Sequence, residues 1–137
     1  MTTSGRSATG VSAWALALLV LLPVPMLGSL AAGGAMVAAY GSLSRQGPLA
    51  KANAASARRW GAGFLLVSTA LLVLQLALSV PRLFGTPEPV GFLPLGIPIV
   101  LYVLVCIVHL VVVVRGTLQA RLGEVVRLPF LRRAARR

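Results

Sequence analysis

The stretch IPIVLYVLVCIVHLVVVVRGTLQARLGEVVRLPF, residues 97–130, decides how this chain folds. From Ile97 to Val114 it holds no Asp, Glu, Lys or Arg, and Arg115 then ends the run. Such a run is near the lower length limit for a helix that crosses a hydrocarbon core of about 30 Å. Its β-branched residues are mediocre helix formers in water. In lipid they are no obstacle, because a helix satisfies its own backbone there. Pro98 suits the first turn of a helix. After Arg115 the pattern changes. Leu118, Leu122, Val125 and Val126 recur at helical spacing between arginines, as in a helix that lies along an interface. The expectation is one helix over 97–128, spanning first and interfacial afterwards, which Pro129 ends near Leu128.

A second apolar run, GAGFLLVSTALLVLQLALSV, covers residues 61–80 and matches one bilayer thickness. Its lead, SRQGPLAKANAASARRW, residues 44–60, has a turn signal at Gly47-Pro48 and an Ala-rich, helix-prone half. A helix over 51–80 follows, with Trp60 at the level of an aromatic belt. The segment 81–92, PRLFGTPEPVGF, is dense in proline and glycine and reads as a compact loop.

The N-terminal run, residues 11–43, is apolar throughout. As one straight helix it would be about 50 Å long, too long for a simple span. Pro23 and Pro25 each lack a backbone donor and offer a break. The expectation is a helical hairpin, 12–22 and 26–43, whose first arm is short. One tilted helix and a cleaved signal peptide are the other two readings of this run. Residues 1–10 read as a loosely ordered start, and 132–137 as a basic tail.

The whole composition agrees with these runs. The 137 residues are 58% hydrophobic and 11% charged, with mean hydropathy +0.92, whereas soluble domains have about 25% charged residues. The fold class expected is therefore an all-α integral membrane protein, a bundle of four helices with a basic amphipathic C-terminal extension. The net charge of +11 sits at the edges of the apolar runs. There it suits anionic lipid headgroups better than nucleic acid, whose recognition would want aromatics, of which the tail has only Phe130. Arg58, Arg59, Arg121, Arg132, Arg133, Arg136 and Arg137 are the headgroup candidates. Cationic segments at 44–60 and in the tail, against one Arg and one Glu in 81–93, place those two segments inside and the loop outside; a hairpin then puts the N-terminus inside as well, and one tilted helix would put it outside. The one cysteine forbids an intrachain disulfide.

Candidate chemistry is sparse. His109 is the only histidine, and an ionisable residue inside a span is a functional candidate by default. Cys106 and Tyr102 share its helical face. Cys-x-x-His supplies too few ligands for a structural metal site, so no metal or other cofactor is expected. A histidine hydrogen-bonded between helices is expected instead, with Gln75 as partner. Ser68, Thr69 and Ser79 are milder polar groups of the same span. Ala31, Ala35 and Ala39 form a small-residue stripe, widened by Gly28, Ala32 and Gly34, that permits close helix approach. Glu124 has Arg121 and Arg127 three residues to either side, either an ordinary surface ion triad or a pin for the tail against Arg58 or Arg59. The chain shows no nucleophile–base pair, phosphate loop or paired carboxylates, which points away from an enzyme.

QARLGEVVRLPF, residues 119–130, resembles the C-terminal signature of a large family of small bacterial membrane proteins of unknown function. In that signature a small-residue turn is followed by Ala, two residues, Gly-Glu, two residues, Arg, an aromatic and Pro. The matching positions are Ala120, Gly123, Glu124, Arg127 and Pro129, with Leu128 where an aromatic is usual. NAASARRWGAGF, residues 53–64, is similar in place and texture to a second family block that runs into Ala-Leu-Asn-Phe-Gln, but lacks that block's Asn and Gln. The family in turn resembles the twenty-kilodalton inner-envelope subunit of the chloroplast protein-import translocon. The resemblance implies a four-helix fold in a bacterial plasma membrane with both ends inside. The function expected is a non-enzymatic component of a membrane complex that binds a protein partner or anionic lipid, with oligomers open. A pore or translocation element is the alternative, and an anchoring subunit of an enzyme is a third.

Overall fold

Two proline-framed helices set the length of the molecule. In a computed structural model that describes residues 8–22, 26–85 and 92–128, every regular element is helical. The hairpin's first arm is α1, Val11–Ala15, followed directly by a 3₁₀ stretch, Leu16–Leu21. Its second arm is α2, Leu27–Ala38, with α3, Tyr40–Leu43, and a 3₁₀ turn, Ser44–Gln46, after it. The long elements are α4, Pro48–Phe84, and α5, Phe92–Arg121. Both are long and apolar enough to cross a membrane.

Several expected boundaries are corrected. Helix α4 starts at Pro48 rather than 51 because Gly47, φ 134°, turns the chain and proline is well suited to a first helical position. It also runs on past Pro81 to Phe84, since a proline removes one donor from the last turns without removing the rest. Helix α5 begins before residue 97, with non-helical Leu93 (φ −80°, ψ 127°) next to Pro94, the extended geometry that a following proline imposes. It ends at Arg121, so the helix expected to reach 128 stops seven residues early and residues 124–128 are not helical. The first arm is α-helical for one turn only before it tightens to 3₁₀, and the second arm bends at Ala39. The proline pair that was to break the hairpin, apart from its flanks, lies outside the described residues. So do residues 1–7, 86–91 and 129–137, including Pro129, Arg132, Arg133, Arg136 and Arg137.

The hairpin packs on one end of the α4–α5 pair. Trp14 lies on Gly116, where an added Cβ would be 2.6 Å from the indole ring. Ala17 faces His109, and Ser29 faces Tyr102. On the other side, Met36 and Gly33 pack on Gly61 and Leu65 of α4. The buried stripe of α2 holds Gly28, Ala32, Gly33 and Met36, so the expected small-residue face packs on its Gly28 and Ala32 side, while Ala35 and Ala39 are half-buried and Ala31 is exposed. Helix α4 answers with Ala50, Asn53, Ala54, Ala57, Gly61, Phe64 and Ser68, all buried at spacings of three and four. From Thr69 to Val80 no residue of α4 is buried. The hairpin therefore covers about half of the long pair and returns to the end it started from.

Candidate functional site

The buried polar groups fall into three clusters, each built where the hairpin meets the long pair. The first surrounds His109, which is fully buried on α5. Trp60 Nε1–H of α4 donates to His109 Nδ1 at 3.1 Å. That leaves Nε2 to carry the ring proton, and Nε2 faces the Ala17 carbonyl at 3.3 Å. The ring is neutral in this arrangement, because a proton on Nδ1 would oppose the Trp60 donor. Phe64 stacks on the imidazole at 3.7 Å between centroids. His109 thus joins α4, α5 and the 3₁₀ arm, an interhelical role of the kind expected. Its expected partner is corrected. Gln75 lies fifteen residues beyond Trp60, about 22 Å along the helix axis, and its buried Oε1 has no hydrogen-bond partner among the described residues. Trp60, expected at a lipid interface, points inward and is half-buried.

The second cluster lies under the hairpin tip. Tyr102 Oη donates to Ser29 Oγ at 3.0 Å, and Ser29 Oγ donates to the Met26 carbonyl at 2.8 Å. Beside them a mostly apolar cleft of about 280 Å³ is lined by Val20, Leu22, Met26, Tyr102, Cys106 and Leu110, among others. Tyr102 and Cys106 are half-buried, about two turns and one turn from His109, and outside its cluster. Among the described residues no group of metal-ligating side chains is assembled.

The third cluster is centred on Asn53, which the sequence did not single out. It is completely buried near the start of α4. Its Nδ2 donates to the Thr9 carbonyl at 2.8 Å and to the Glu124 carbonyl at 3.1 Å, and its Oδ1 accepts from the Val126 N–H at 2.8 Å. The local sequence explains how the C-terminal segment reaches it. Glu124 N–H bonds to the Gln119 carbonyl and Gly123 N–H to the Ala120 carbonyl, at 3.1 and 3.2 Å. These are the paired bonds of a Schellman cap, with Gly123 at φ 78° in the left-handed position. The cap turns the chain back across α4 and buries Val126.

The motif positions now have places. Ala120 is buried in the core, Gly123 makes the turn, the Glu124 main chain binds Asn53, and Arg127 is exposed. Glu124 is not flanked by helical neighbours, because α5 has ended. The ion triad expected on helical spacing is therefore corrected. The pin for the tail exists, but it is an amide reading main chain rather than a carboxylate meeting Arg58 or Arg59.

The cations collect at this same end. Arg45, Lys51, Arg58, Arg59, Arg115, Arg121 and Arg127 are all exposed, and Arg58 lies 5.0 Å over the Tyr40 ring. Arg82 is on the last turn of α4 at the opposite end. No family model, curated protein or solved structure matches the chain.

Proposed function

We propose that this chain is a non-enzymatic integral membrane protein that holds anionic lipid headgroups at its cationic, cytoplasmic end as part of a membrane complex. The observation that carries the proposal is the exposure of its most apolar helix faces. The best span windows of α4 and α5 have mean hydropathies of 2.2 and 3.0, and only 11% and 17% of each is buried. A core helix of a water-soluble protein is apolar because it is covered. Here Leu66, Leu76, Phe84 and Leu93 are each about two-thirds exposed or more, and hydrocarbon is the solvent that makes such faces stable. The one-sided cations supply orientation and the headgroup contact. The resemblance of residues 119–130 to a family of small bacterial membrane proteins favours a bacterial plasma membrane. The pore alternative has less support, because the polar side chains of the described interior bond mostly to each other and to main chain.

The test is lipid composition around the protein. Polymer-excised native discs carrying the wild type are expected to be enriched in anionic phospholipid over the parent membrane. The Arg58, Arg59, Arg121 and Arg127→Gln variant should lose that enrichment, each Arg near a charged surface being worth about 1 kcal/mol. Equal composition for wild type and variant would remove the lipid role.

A further inference from the structure

We propose that Asn53 is a clasp that couples the two ends of the chain, so that release of the C-terminal strap, Glu124–Leu128, loosens the N-terminal segment and the hairpin arm behind it. One amide serves both ends. Its two N–H donors are divided between Thr9 and Glu124, and its oxygen holds Val126. These groups lie 44, 71 and 73 residues from Asn53 in sequence, so nothing local would otherwise keep them together. The amide is fully buried, and water does not replace a lost partner cheaply there.

The packing runs the same way as the bonds. Gly10 is tight against Asn53, where an added Cβ would meet the Asn53 Cβ at 2.8 Å. Ala13, Trp14, Ala54, Ala57, Ala120 and Val126 belong to a single buried cluster. The strap is the weakest member. It is non-helical, has left the α5 hydrogen-bond ladder, and is held by two side chains, Val126, which is buried, and Leu128, which is half-buried against the core. Segments with so few buried contacts open first. When it opens, Asn53 loses two of its three bonds and the N-terminal segment loses the Val126 side of its packing. Coupling of this kind is reciprocal. In the sequence Arg132, Arg133, Arg136 and Arg137 follow within nine residues of Leu128.

The experiment is hydrogen exchange with mass spectrometry on the full chain in zwitterionic nanodiscs, where no anionic lipid is present. The coupling is thereby tested apart from the lipid role proposed above. Val126→Pro removes the donor to Asn53, and a chain ending at Gly123 removes the strap altogether. In both, amides of residues 10–17 are expected to exchange at least about fivefold faster than wild type, the lower end of common coupling strengths. Amides of 61–68 and 105–113 should keep their wild-type rates, which shows that the long pair is folded. If Val126→Pro fails that check, the truncated chain decides alone. Wild-type exchange over 10–17 in a variant with a folded long pair overturns the coupling.

Discussion

His109 shows what a lone ionisable residue does in this molecule. It accepts from Trp60, donates toward Ala17 and is stacked by Phe64, so its ring ties three elements at one point. Substituting His109→Leu keeps the volume class and removes both polar partners. A buried group left without a partner costs about 1–3 kcal/mol, so the variant should remain helical and membrane-associated but unfold at lower temperature in detergent. Thermal melting followed by tryptophan emission checks this, and an unchanged midpoint would show that the cluster holds nothing together. At this scale the sequence was partly informative. It flagged His109 because histidine inside an apolar run is conspicuous. It gave the wrong partner because Gln75 was the only strongly polar side chain in the other span, and the Trp60 N–H does not register as polar in a hydropathy pattern. Asn53 escaped notice because it sits among alanines and all its partners are main-chain groups far away in sequence.

The decisive turn among the elements is the cap of α5. Leu118, Leu122, Val125 and Val126 keep helical spacing through residue 126, which is why a longer helix was expected. Gly123 overrides the spacing by taking a left-handed conformation that closes the helix with two bonds. A side chain there is strained, at roughly 1–2 kcal/mol for a non-glycine residue in that region. Gly123→Val should therefore break the cap and release the strap as an unfolded segment, which withdraws Val126 from Asn53. The measurable result is trypsin cleavage after Arg127 at a higher rate than in wild type, with protein in detergent. Equal cleavage rates would mean that the cap does not position the strap. The hairpin was legible in outline, because the length of the apolar run and its prolines required a break. That its arms cover only half of the long pair was not legible, since composition alone does not say which helix faces touch.

For the whole molecule, two opposed facts fix the architecture: the long helices expose apolar faces, and the described cations other than Arg82 gather at one end with both ends of the hairpin. Hydropathy and charge placement carried this level of the description before any contact was known, because both are sums over many residues and tolerate local error. The proposed orientation, with the cationic end in the cytosol, rests on the same charge placement. The proposal to be tested is that α4 and α5 cross a bilayer while the hairpin enters and returns. Its most direct test is labelling of single cysteines in intact cells with a membrane-impermeant maleimide, in a Cys106→Ser background, at the exposed positions Ser12, Gly85 and Leu122. Gly85→Cys should label in intact cells, and Ser12→Cys and Leu122→Cys only after permeabilisation. Labelling of Leu122→Cys or Ser12→Cys in intact cells, or of none of the three in any condition, would contradict it.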